Sequence, residues 1–158
     1  MKEINHEVFG NIKYDLSWEG EKEVNFLNGK KKIAFVIKGR ENAEFENAQI
    51  EAFRNFFDNF EDLILLALSE IFNYYNEVCE DYRNMLGDSA YKLAPVIINE
   101  KELANLIELK ELVFLRSRGK DVRKVGILYE CTWEEEHGLA VKFENENVID
   151  VGYQDIVL

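Results

Sequence analysis

The hydrophobic pattern of this chain predicts an α+β fold, in which an antiparallel sheet of N- and C-terminal strands packs against a central helical hairpin. Three observations carry that expectation. Apolar and polar residues alternate toward both ends, the apolar spacing lengthens to three and four through the middle, and turn residues separate the alternating runs.

The first strands are expected over about residues 7–38. Val8, Gly10, Ile12 and Tyr14 would share one face; Val24 and Phe26 alternate with Glu23 and Asn25, and Ile33, Phe35 and Ile37 repeat the pattern. Asn28-Gly29 lies between the latter runs and suits a tight hairpin, because both residues accept positive φ. Lys30, Lys31 and Lys32 read as a solvated strand start, since three charges without interleaved aromatics do not make a nucleic-acid patch.

Helices follow over about 44–86. Phe45, Ala48, Ala52, Phe53, Phe56 and Phe60 fall along one side of a first helix, and Ile64, Leu68, Ile71, Tyr75, Val78, Tyr82 and Leu86 along one stripe of a longer second helix. Asn59 followed by Asp62 resembles a capping box and places a break there, while Gly87 marks the end of the second helix. The aromatic density would suit a cofactor or peptide groove, yet packing against the sheet accounts for it.

Beyond Pro95 an extended Val96-Ile97-Ile98 segment precedes a short helix over about 100–107, opened by a second capping pattern of Asn99 with Glu102. Strands resume over about 111–152, beginning with Leu112 to Leu115. Val125, Ile127, Tyr129 and Cys131 form one alternating run and Leu139, Val141 and Phe143 another, joined as a hairpin across Thr132 to Gly138. The turn Glu144 to Asn147 leads to Val148–Val151, and Gln154 to Leu158 closes the chain. No repeat or flexible linker interrupts these elements, so a single α+β domain spanning 1–158 is expected.

A length of 158 residues and a hydrophobic content of 47% suit a domain with a substantial core. The longest apolar stretch, Leu63 to Leu68, falls far short of a bilayer span, and MKEINHEVFG lacks the apolar run of a signal peptide. Cys79 and Cys131 lie in separate hydrophobic settings and read as buried free thiols, which makes the cytoplasm the expected compartment. The net charge of −12 is concentrated in the helical middle: residues 41–88 carry 12 acidic and 2 basic groups. Such a surface repels phosphate backbones and anionic lipid, so neither nucleic acid nor membrane is expected as a partner. It would steer a basic protein toward itself, although carboxylates also serve plain solubility.

The most concentrated chemistry is Cys131-Thr132-Trp133-Glu134-Glu135-Glu136-His137-Gly138. It contains no Cys-x-x-Cys and no His-Glu-x-x-His, so a metal would need His137 with Glu134 or Glu136 and a distant ligand such as His6 or Asp155. Neither a metal nor a cofactor is expected. Cys131 and His137 could form a nucleophile and base, but Cys131 shares the face of Val125, Ile127 and Tyr129, where a thiol is ordinarily inert. His137 before Gly138 also reads as a loop-bonding imidazole beside a bend. Trp133 and Trp18 read as covers over the core edge or, if exposed, as interface anchors. Gly-rich nucleotide loops, a nucleophile elbow and kinase signatures are absent from the sequence.

Phe9-Gly10 with Trp18-Glu19-Gly20, then Cys131-Thr132-Trp133, Glu136 to Val141 and Val151-Gly152-Tyr153-Gln154-Asp155, together resemble an uncharacterised bacterial domain family across nearly the whole chain. Some similar proteins occur beside polymorphic toxins, which implies an acidic immunity factor; the family supplies no catalytic residues to transfer. The leading expectation is therefore a noncatalytic protein-binding module that neutralises a basic toxin. Its contact residues would be Glu61, Asp62, Glu70, Glu77, Glu80 and Asp81, with Trp133 and His137 as a second patch. A second reading is a small hydrolase or metal-dependent enzyme centred on Cys131, Glu136, His137 and Asp155. A third is a structural homo-oligomer formed through a sheet edge or the aromatic helix surface.

Overall fold

A computed structural model describes residues 2–26, 29–42 and 44–158. Within these, eight strands form one sheet whose spatial order repeats the chain order: β1 (Glu3–His6), β2 (Gly10–Asp15), β3 (Ser17–Phe26), β4 (Gly29–Ile37), β5 (Ile107–Phe114), β6 (Lys124–Cys131), β7 (Leu139–Glu144) and β8 (Asn147–Gly152). Every pairing is antiparallel except that of β4 with β5, which is parallel. The sheet is thus two antiparallel meanders joined at one parallel seam. A parallel return needs a long crossover, and the helices supply it: α1 (Asn47–Asp58), α2 (Phe60–Leu86) and the single turn α3 (Ala90–Leu93) all lie between β4 and β5.

The strand start expected at Val8 divides. Glu7 to Phe9 form a turn, Gly10 takes φ +75° to begin β2, and β1 pairs ahead of it from Glu3↔Lys13 to His6↔Gly10. The β3–β4 register closes at Phe26↔Gly29, so Gly29 already belongs to β4; Asn28, the other half of the expected turn pair, lies outside the described residues.

The helical stripes face the sheet as expected. Phe53 and Phe56 are almost fully buried, with ring centroids 5.0 Å from Phe35 and 5.4 Å from Phe143 respectively. Such edge-to-face pairs add to what burial alone contributes. Ile71 and Tyr75 have no exposed surface, and Tyr75 packs 4.7 Å from the Trp133 ring.

The break falls at Asn59, but its side chain does not cap α2. Its Nδ2 donates instead to the Asn55 carbonyl at 2.9 Å, completing the end of α1. Gly87, at φ +56°, ends α2. The second capping pattern forms as expected, with Asn99 N–H donating to Glu102 Oε2 at 3.1 Å, and it opens a 3-10 helix over Glu100–Asn105. Val96-Ile97-Ile98 joins no strand; Ile97 is buried while Val96 and Ile98 are exposed.

α1 is seated by a residue the hydrophobic pattern overlooks. Gln49 is buried, and its Nε2 donates to the carbonyl of Lys38 at 2.7 Å and of Phe114 at 3.3 Å, the two strand ends that meet at the seam. Its Oε1 accepts from Glu46 N–H, and the Glu46 carboxylate accepts from Ser117 N–H at 2.7 Å.

The opposite face of the sheet is covered over its C-terminal half by a closing 3-10 turn, Gln154–Val157, which packs with Val113, Leu128 and Ala140. Gly126 makes this approach feasible: a Cβ there would stand 2.6 Å from Val157.

Candidate functional site

The connection between β6 and β7 is built around Glu134. Its backbone carbonyl accepts from Gly138 N–H at 3.1 Å and from the Cys131 thiol at 3.5 Å, which folds the loop back on itself. Its Oε1 accepts the Tyr82 hydroxyl from α2 at 3.0 Å, while Oε2 lies 3.3 Å from His137 Nδ1. Tyr82 has one proton and gives it to Glu134, so at the 3.3 Å contact between the two hydroxyls Tyr153 is the donor. The His137 ring stacks on Tyr153 at 4.7 Å.

Burial opposes the charge on Glu134, yet hydrogen bonds from Tyr82 and His137 prevail and hold its carboxyl below the ordinary value. The Tyr82 hydroxyl is pushed up, first by burial and then by its bonds to Tyr153 and Glu134.

The C-terminus is tied into this knot. Gln154 N–H donates to the His137 carbonyl at 3.0 Å, and Gln154 Nε2 to the Tyr129 carbonyl at 2.8 Å. Gly138 has φ +64°, and a Cβ on it would meet the Gln154 side chain at 2.5 Å. The Trp133 to Gly138 and Gly152 to Gln154 segments therefore form one interlocked structure, in which most side chains are engaged in holding the chain together.

The proposed catalytic constellation does not assemble. Cys131 is buried, burial pushes its thiol up to about 12, and its hydrogen bond goes to the loop backbone. A cleft of about 680 Å³ is lined by Cys131 with Glu108, Glu130 and Glu135, but not by Glu136, His137 or Asp155. Glu136 and Asp155 are exposed and make no hydrogen bond or ion pair with Cys131 or His137. His6 accepts from Val8 N–H on β1, six strand steps and roughly 30 Å from β7. Among the described residues no group of three or more His, Cys, Asp and Glu is arranged to hold a metal ion.

The acidic residues of α2 are disposed differently. Glu61, Asp62, Glu77, Glu80 and Asp81 are exposed and Glu70 is half-buried. None of the six forms an ion pair among the described residues. Arg83, the one base within α2, is turned to the carbonyl of Ala94 at 2.8 Å and secures the connection to α3.

Two grooves flank this surface. Toward β8, Glu70 and Glu77 share a shallow groove with Asp150, Tyr74 and the exposed Ile149. Toward the segment after Pro95, Glu80 shares another with Val96, 73% exposed. His137 stacks on Tyr153, which meets the Tyr82 hydroxyl of α2, and lines neither groove; Trp133 is 4% exposed and belongs to the core. Asp150, Ile149 and Val96 were not singled out from the sequence, because nothing in a linear pattern shows which loop or edge strand will lie beside a helix.

These features define an α+β protein with a mixed eight-stranded sheet, one acidic helix surface and a hydrogen-bonded C-terminal lock. The chain belongs to the family described as "Domain of unknown function (DUF6985)", whose profile matches residues 8–158. Comparison with curated proteins and with solved structures gave no match. No helix among the described residues is long and apolar enough to cross a membrane.

Proposed function

We propose that the protein is a noncatalytic binding module that captures a basic protein on the acidic side of α2, in the manner of an immunity protein neutralising a toxin. The observation that supports this reading is the groove between α2 and β8, where Glu70, Glu77 and Asp150 stand together with no cation to offset them among the described residues. Like charges so placed repel one another, and an incoming Lys or Arg side chain relieves that repulsion. Tyr74 and Ile149 add the apolar contact that charge alone does not supply.

Calorimetric titration of the full chain with a basic protein, taking first any that is encoded beside its gene, tests the reading. Affinity should fall as salt rises, because exposed charges are screened. The combined replacement Glu70→Lys, Glu77→Lys and Asp150→Lys should weaken it by about a hundredfold, a few kcal/mol for a reversed charge patch. Absence of binding, or binding indifferent to both salt and charge reversal, would overturn it.

A further inference from the structure

β4 and β5 pair only along their C-terminal halves, from Ala34↔Glu111 to Ile37↔Phe114. Yet β4 begins at Gly29 and β5 at Ile107, and β5 is bulged between Leu109 and Glu111. Their first halves are left unpaired with one another, and the start of α2 passes over the opening. The result is a slot of about 280 Å³ walled by Ile33, Ile64, Leu68, Ile107 and Leu109.

One wall of the slot carries a hydroxyl donor. Tyr129 lines the slot and is only 3% exposed, and no described residue bonds its hydroxyl; since no buried side-chain oxygen among the described residues lacks a partner, that hydroxyl opens onto accessible space at the slot. Tyr75 and Tyr82, also buried, each bond their hydroxyls, at 2.6 Å to the Pro95 carbonyl and at 3.0 Å to Glu134. A hydroxyl donor on the wall of an otherwise apolar slot is the kind of polar group that orients a bound molecule. Burial pushes the Tyr129 hydroxyl up, so it remains a neutral donor at physiological pH.

Charge at the rim is also uneven. Glu108 is engaged by Lys110 at 3.4 Å, whereas Lys31 makes no ion pair among the described residues.

We propose that this slot binds an apolar monocarboxylate, its body against the aliphatic walls, its carboxylate accepting the Tyr129 hydroxyl and Lys31 supplying the countercharge. The volume lies just under the lower end of small-molecule sites, roughly 300 Å³, so the occupant is a medium-chain or single-ring acid and not a long-chain lipid. The site is separate from the acidic grooves of α2 and does not depend on their role.

The test is titration of the full chain with sodium decanoate, followed by calorimetry and by methyl NMR. Wild type should bind, with shifts confined to Ile33, Ile64, Leu65, Leu68, Ile107 and Leu109, and decan-1-ol should bind more weakly. Tyr129→Phe should keep the unliganded thermal midpoint, since no described residue bonds the hydroxyl, and should lose about tenfold in decanoate affinity, as expected for one hydrogen bond to a charged group. No binding by wild type, equal binding by Tyr129→Phe, or shifts centred on the exposed Val96 and Ile98 would overturn the assignment.

Discussion

Glu134 is the first of three consecutive glutamates, and Glu136 rather than Glu134 stood in the catalytic alternative expected from the sequence. The spacing of three between Glu134 and His137 was the available signal, since one turn of chain brings such a pair to the same side. What the sequence could not supply was Tyr82, 52 positions away, which selects Glu134 by donating to it. Because the carboxyl is held below its ordinary value of 4.5, its stabilising effect is complete above that pH and is lost as pH falls through the folded-state value. Glu134→Ala should therefore cost about 2 kcal/mol at neutral pH, the usual effect of removing a charged hydrogen-bond partner. Urea midpoints should show the gap from wild type narrowing as pH is lowered through the carboxylate range. A gap that widens in acid would contradict the assigned hydrogen bonds.

At the level of elements, the period of the hydrophobic pattern was the dependable guide. The stripes of α1 and α2 and the alternation in β4, β6 and β7 were legible because burial on one side leaves a regular trace. β1 left almost none, having Ile4 as its sole aliphatic residue. The parallel seam was hidden for another reason: a strand looks the same locally whichever direction its neighbour runs. Gln49 was invisible as a polar residue on a helix, although it joins α1 to both seam strands. Gln49→Leu keeps the volume and removes the donors, leaving the partly buried Lys38 carbonyl without the Gln49 donor. It should cost about 1–3 kcal/mol in chemical denaturation and speed amide exchange at Lys38 and Leu115. Unchanged exchange there would show that the seam is held by strand pairing alone.

Over the whole molecule the charge of −12 sets a balance that no single pair determines. The ion pairs among the described residues are few and mostly exposed, and the carboxylates of α2 are outside them. Net repulsion should therefore oppose the compact state, and added salt should relieve it. The thermal midpoint in dilute buffer should rise by a few degrees when sodium chloride is brought to about 0.15 M, a response scaled by the small free energies that shift such midpoints. A falling midpoint would mean that attractive pairs dominate, which would remove the physical basis for a basic partner as well.

Because β4 waits for a strand that lies beyond all the helices, its outer edge stands open while the rest of the polypeptide is still being made. Open edges invite pairing with a neighbouring nascent chain, and lysine is a common deterrent. Lys30, Lys31 and Lys32 occupy the stretch of that edge which β5 never comes to cover. Positive charge along that stretch disfavours pairing with a sister chain, both before β5 is made and along the part of the edge it leaves uncovered.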